Sequence, residues 1–281
     1  NEQAKAIQLL ESLRDKDEHI DLLPDENFIF EREKCDLFKE IRQYNSQERV
    51  VSPIEQDFPL AFVLLAYDQV EQLERLLRAI YRPHNIYCIH IDAKSEPQVL
   101  EAVRSITACF DNVFVASRLE KVVWGSIYQL RAYLNCMSDL LLLNSNSAIP
   151  DDKASLSGKR RDVNWKYVIN MPSSEFPLRS NYELVLILRM YNGSNEIGMQ
   201  HGGRYDLFSQ ARTQTSHYVR ADLSRLYATR LRKSPPPHNL SIAQCASHVA
   251  LSRRFATHLL SSQRSADLLR WLNDTAHPDE S

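Results

Sequence analysis

Glycine is scarce in this chain, with six residues in 281. Neither a G-x-G-x-x-G nor a G-x-x-x-x-G-K-[ST] string occurs, so the usual glycine-built cradles for dinucleotides and for NTP phosphates are excluded. None of the five cysteines forms a C-x-x-C pair, which argues against a structural zinc site. The formal net charge of −2 excludes a general polyanion binder such as a nucleic-acid protein. No apolar run approaches the length needed to span a bilayer. Asp-x-Asp, the commonest way to hold a divalent cation beside a diphosphate, occurs only as Asp15-Lys16-Asp17. That string follows no strand and reads as the solvated face of a charged helix, so no metal centre is expected.

What is present is an alternation of strands and helices. Residues 1 to about 56 differ from the rest: Ala4 to His19 is a charged amphipathic helix candidate, a loop with Pro24 follows, and Cys35 to Tyr44 is a second helix candidate. The run Leu60 to Ala66 is short, continuous and apolar, as in a strand buried on both faces of a parallel sheet. Val70 to Tyr81 has helical periodicity, with Leu73, Leu76, Leu77 and Ile80 on one face. Ile86 to Ile91 is a second strand and delivers Asp92 at its carboxyl end, the edge where open α/β sheets bind ligands. Asn112 to Ala116 and Trp165 to Met171 read as further strands, and Gly125 to Leu143 and Asn181 to Tyr191 as helices. Asn144 to Asp162 is a polar surface insertion containing Lys159-Arg160-Arg161. Asn192 to Ser241 is weakly periodic. A strand from Cys245 to Leu251, a helix from Arg253 and a helix around Leu268-Leu269-Trp271 follow. This alternation predicts a three-layer α/β sandwich.

The cysteines are Cys35, Cys88, Cys109, Cys136 and Cys245, and any four of them allow three pairings. Three sequons, at Asn192, Asn239 and Asn273, are available for N-glycosylation.

The wording of the chain is specific beyond these patterns. FPLAFVLLAYDQVEQLERLLRAIYRPHNIYCIHIDAKS, ACFDNVFVASRLEKVVWGSIYQLRAYLNCM and WKYVINMPSSEFPLRSN resemble the core-2/I-branching β-1,6-N-acetylglucosaminyltransferases, with protein O-xylosyltransferases as more distant relatives. The resemblance runs from about Phe58 to Glu280. It implies a GT-A-type nucleotide-sugar-binding sandwich with a mixed, mostly parallel sheet. It divides the chain into a stem-side extension (1–56) and a catalytic domain (57–281) that continues in the family past Ser281. It pairs Cys35 with Cys109 and Cys88 with Cys136, leaves Cys245 without a partner, and so implies an oxidising, lumenal compartment. A Golgi type II protein, with its membrane anchor upstream of these residues, follows from the same resemblance.

The implied activity is inverting transfer of N-acetylglucosamine from UDP-GlcNAc to the 6-hydroxyl of a galactose or N-acetylgalactosamine of an O-glycan, without a cofactor or divalent metal. Glu280, in Ala276-His277-Pro278-Asp279-Glu280, matches the family's catalytic base; His277 replaces a serine there. Leu65, Tyr67, Asp92 and Trp124 match the nucleotide pocket, with Tyr67 standing for a histidine and Trp124 for a tyrosine. A buried core aromatic is the plainer reading of both rings. Glu175 matches an aspartate near the active-site floor, where loop support and substrate contact are equally open. Gly198 falls where the family has an acceptor-binding glutamate, and Gln244-Cys245-Ala246 where it has Ser-Gly-Ser. The family's basic diphosphate-binding side chains fall beyond Ser281, so weak or no catalysis is expected of these 281 residues alone. Two other readings stand beside this one: a xylosyltransferase-like enzyme using UDP-xylose, and a catalytically silent glycan-binding paralogue. His90 and His248 read as strand residues, satisfied in the core or at an edge.

Overall fold

The computed structural model describes residues 22–45, 50–142, 163–199, 212–243 and 245–278. In chain order the helices are α1 (Cys35–Ile41), α2 (Pro53–Gln56), α3 (Val70–Ile80), α4 (Pro97–Thr107), α5 (Ile127–Leu142), α6 (Asn181–Tyr191), α7 (Arg253–Ser261) and α8 (Gln263–Trp271). The strands are β1 (Leu60–Ala66), β2 (Ile86–Ile91), β3 (Val113–Val115), β4 (Tyr167–Pro172), β5 (Glu196–Met199), β6 (Thr215–Val219), β7 (Leu226–Arg232) and β8 (Cys245–Ser252). The main sheet runs β3-β2-β1-β4-β8-β5, and β6 and β7 form a separate hairpin. β1 pairs in parallel with β2 and β4, and β2 with β3, whereas β8 is antiparallel to both β4 and β5. The expected α/β class, with three layers and a mixed, mostly parallel sheet, is the one observed.

The sheet is covered on both faces, and β1 shows why its sequence is continuously apolar. Leu60, Phe62 and Leu64 enter one core with Leu76 of α3 and Val103 of α4. Ala61 and Val63 enter the other with Cys136 and Leu140 of α5 and the indole of Trp165. With no solvated face, strict alternation has nothing to mark. The amino end of β1 is fixed by a buried polar chain. Leu60 N–H donates to Asn85 Oδ1 (2.9 Å), Asn85 Nδ2 to Asn181 Oδ1 (2.8 Å), and Asn181 Nδ2 to Glu55 Oε1 (2.7 Å).

Residues 22–45 pack into the first of these cores, through Phe28 and Tyr44. Gln69, before α3, has a left-handed backbone and makes no side-chain cap. Asp25 caps the helix from a distance instead, its Oδ1 accepting from Val70 N–H at 2.9 Å. A Cys35–Cys109 disulfide joins α1 to the end of α4, as the resemblance implied. The second implied pair is brought face to face by the packing of α5 on β2: the Cys88 and Cys136 sulfurs are both buried and lie 2.6 Å apart.

The Ala4–His19 helix, Asp15-Lys16-Asp17 and the 144–162 insertion lie outside the described residues. Two boundaries differ from expectation. α5 starts at Ile127, because Gly125 adopts φ +71° and Ser126 turns its hydroxyl onto Val123 O. The stretch expected to be weakly periodic contains β5, β6 and β7, short strands with largely solvated side chains.

Candidate functional site: the crevice at the carboxyl edge of the sheet

The chain lays down β1, β2 and β3 in one direction, then returns to add β4 on the other side of β1. That reversal leaves a crevice at the carboxyl ends of β1 and β4, the standard position for a ligand in such sheets. Ladder pairing between β4 and β8 covers residues 167–169 of β4, after which the side chain of Asn170 takes over. Its Nδ2 donates to Ser247 O (2.7 Å) and its Oδ1 accepts from Val249 N–H (2.7 Å).

Asp92 sits just past β2 and is 7% exposed. Its Oδ1 accepts from the N–H groups of Lys94 (2.8 Å) and Val122 (3.2 Å), and Lys94 Nζ lies 3.8 Å from Oδ2. The carboxylate therefore begins a turn, as a strand-end aspartate often does, and also ties that turn to the 120–125 loop. One residue pair deeper, Glu120 N–H donates to His90 Nε2 at 2.8 Å, which requires an unprotonated nitrogen. Burial pushes His90 down to about 4, against the opposing charges of Asp92 and Glu120. His90 is thus a satisfied core histidine that fixes the floor of the loop. Glu120 is held in turn by Asn135 Nδ2 (2.9 Å) and Arg118 Nε (3.0 Å).

Leu65 is half-buried and packs on the α5-side core, while its carbonyl accepts from Ser173 N–H at 2.7 Å. Tyr67 and Trp124 correct the plainer reading of their rings: neither is a core residue. Tyr67 is 54% exposed, as the first residue past the end of β1, and Trp124 is 76% exposed, in the loop between β3 and α5. The carbonyl of Tyr67 accepts from Ser95 Oγ at 2.5 Å, which links the β1 exit to the Asp92 turn.

The carboxyl-terminal segment comes back to this same loop. His277 N–H donates to Gly125 O at 2.6 Å, and its ring lies edge-on to Trp124 with centroids 4.4 Å apart. Both backbones are left-handed, at φ +71° for Gly125 and +49° for His277. A Cβ added to Gly125 would stand 2.9 Å from His277 Cε1, so only glycine permits this seat. Pro278 is buried. Asp279 and Glu280 lie outside the described residues, so the structure leaves the position of the expected base untested.

On the other side of the crevice, Glu175 follows β4 and its Oε1 lies 2.8 Å from His248 Nε2 on β8, both side chains partly exposed. His248 is therefore an edge residue whose partner is the carboxylate expected near the site floor. Gly198 on β5 has a neighbour at van der Waals distance, Ala246 Cβ, 3.4 Å from an added Cβ. Cys245 is half-buried at the start of β8. The sequon asparagines 192, 239 and 273 are all exposed, and Asn273 Oδ1 accepts from Arg131 at 2.9 Å. Among the described residues no three His, Cys, Asp or Glu side chains are grouped to hold a metal ion, and no helix is long and apolar enough to cross a membrane.

Of the residues the sequence singles out, Tyr67, Asp92 and Glu175 follow β1, β2 and β4, and Trp124 lies in the loop that Asp92 contacts through Val122. Sequence reasoning missed the Glu120–His90 contact and the Glu175–His248 pair, which join residues far apart in sequence and leave no local signal.

The family model described as "Core-2/I-Branching enzyme" matches residues 60–149 and 156–281, covering most of the crevice-forming chain. The chain belongs to the core-2/I-branching enzyme family. Among its relatives is a Danio rerio protein named beta-1,3-galactosyl-O-glycosyl-glycoprotein beta-1,6-N-acetylglucosaminyltransferase 4, 39% identical over 251 residues, a match covering 88% of this chain and 53% of the relative. Proteins of the same name numbered 3 are 37% identical in Bos taurus (88% and 50% covered) and 35% in Homo sapiens (91% and 53%). The chain thus spans about half the length of the curated relatives it matches. The branching-enzyme match includes the 272–281 segment together with the strands that form the crevice.

Proposed function

We propose that the protein is an inverting glycosyltransferase that moves N-acetylglucosamine from UDP-GlcNAc to the 6-hydroxyl of a galactose or N-acetylgalactosamine on an O-glycan. Besides family membership, one observation carries the reading. Asp92, Val122, Trp124, Gly125 and His277 form an unbroken series of contacts from the nucleotide-side strand edge to the segment that bears Glu280. Glu280 follows Pro278 by two residues, a chain reach of at most about 7 Å.

In this reading Tyr67 and Trp124 offer exposed ring faces to the uracil, with Leu65 beneath and Asp92 accepting from donor hydroxyls. Glu175, oriented by His248, accepts from an acceptor hydroxyl. Glu280 takes the O6 proton of the acceptor. O6 forms a bond to the anomeric carbon while the bond from that carbon to the phosphate oxygen breaks, its electron pair leaving with UDP. Attack from the face opposite UDP converts the α-linked donor into a β-1,6 product. Metal independence belongs to this proposal, as does a Golgi lumenal site with an anchor upstream. The Cys35–Cys109 disulfide suits an oxidising compartment, and Cys88–Cys136 is proposed to close there as well.

The test is transfer by the full-length chain from UDP-GlcNAc and from UDP-xylose to a core-1 disaccharide, with E280Q alongside. E280Q is expected to lower kcat roughly 10²–10⁴-fold with donor affinity retained. Undiminished turnover in E280Q would remove the base, preference for UDP-xylose would change the donor, and glycan binding without any turnover would make the protein a lectin.

A further inference from the structure

Lys233 is a lysine with almost no access to water. It is 8% exposed, follows the last residue of β7, and is fixed there by its own N–H donating to Gln214 O at 2.8 Å. Its ammonium reaches across to the turn after α8. It donates to the carbonyl of Trp271, to the carboxylate of Asp274 and to Thr275 Oγ1, the last at 2.6 Å, and it lies 4.3 Å from the centre of the Trp271 ring. Trp271 returns the contact, its indole N–H donating to Ser234 O at 2.9 Å. Each donor of the buried ammonium thus meets an acceptor, the condition under which such a charge is tolerated. Asp274 is partly exposed and Thr275 is 1% exposed.

The clamped turn has one continuation. Ala276, His277 and Pro278 run directly from Thr275 onto Gly125 and Trp124, and His277 holds a left-handed backbone there. A non-glycine residue keeps such a conformation only where its surroundings over-determine it. The His277–Gly125 hydrogen bond supplies one constraint at the crevice, and the Lys233 clamp supplies the other at the root of the segment. We propose that Lys233 is a positioning residue for the active site: by gripping Trp271, Asp274 and Thr275 it sets where His277 meets Trp124 at the crevice. The proposal rests on the glycosyltransferase reading above. It makes the β6–β7 hairpin, which lies outside the main sheet, part of what aligns the base with the donor.

K233M, K233R and D274N are to be made in the full-length chain, with three readouts: transfer from UDP-GlcNAc, UDP affinity by calorimetry, and tryptophan emission. The Trp124 indole is covered on one side by the His277 ring, so its emission reports whether that contact is kept. Subtracting W124F isolates that signal from the other two tryptophans. K233M is expected to lower kcat on the order of 10–100-fold with UDP affinity changed less than about threefold, and to shift the Trp124 emission to longer wavelength. K233R keeps the charge and should recover most of both. Unchanged kcat together with unchanged Trp124 emission in folded K233M would overturn the proposal. If K233M does not fold, D274N decides: a lower kcat at constant UDP affinity supports the clamp, and an unchanged kcat refutes it. Full turnover in E280Q would sink the base instead, while the Trp124 emission still reports on the clamp.

Discussion

The two halves of the molecule are built to different rules. From β1 to β3 the central strands are covered on both faces: β2 is buried throughout, and β1 and β3 have one half-buried position each. From β5 to β8 the strands are antiparallel and mostly half-solvated, and β7 has no fully buried residue. The first half offers a preformed edge with Asp92 at its centre. The second half offers side chains that reach in from elsewhere: Glu175 oriented by His248, and Lys233 gripping the turn before His277.

The contrast can be broken at four points, in decreasing order of effect. Opening the Cys35–Cys109 bridge by a double change to serine removes a closure spanning 74 residues and should cost about 4 kcal/mol in a urea titration, most of it through the unfolded chain. A loss below about 1 kcal/mol would mean that packing alone holds α1 to the first half.

His90 should make the stability of that half depend on pH. Its folded value of about 4 lies below the ordinary 6.5, so the unfolded chain takes up the proton first as pH falls. The contribution is complete above about pH 6.5 and is lost progressively toward pH 4, on the order of 3 kcal/mol in all. H90Q should flatten that part of the curve, and identical pH profiles for the two proteins would show that His90 is not buried neutral.

Smaller again is the donor contact. D92N keeps the shape but weakens what the carboxylate accepts, and should raise the UDP dissociation constant about tenfold, or about 1.4 kcal/mol, with acceptor KM unmoved. An effect on acceptor KM of equal size would place Asp92 in loop support and not in donor binding.

Least affected should be the hairpin. Tyr218 and Tyr227 stack across it with ring centroids 5.9 Å apart, and both are exposed. Y218A is expected to change unfolding free energy by about 0.5–1 kcal/mol. A loss several times larger would show the hairpin to be as deeply built in as β1, and would end the comparison.

How much of this could be read beforehand follows the same division. β1, β2 and α6 have the bounds their sequence patterns announce, because a doubly buried strand is an apolar run and a capped helix begins at Ser180, whose hydroxyl meets Glu183 N–H. Asp92 was legible as a strand-end carboxylate. β6 and β7 were not, since β6 is half-buried without an apolar pattern and β7 mostly faces water, with Arg230 and Arg232 at positions a core would fill with apolar groups. The exposure of Tyr67 and Trp124 was equally hidden, as an aromatic at a sheet edge and one inside a core are spelled alike.

The amino-acid order by itself determined the layered α/β class, the central strands, the family and the list of crevice residues, because those depend on local periodicity and on words long enough to be specific. Only the tertiary structure decided which partners meet: Asp25 capping α3, Glu120 on His90, Lys233 on the turn before His277, and the sulfur of Cys136 against that of Cys88. Such contacts join residues tens of positions apart, and side-chain hydrogen bonds carry no periodic trace along a chain, so they come into being with the fold.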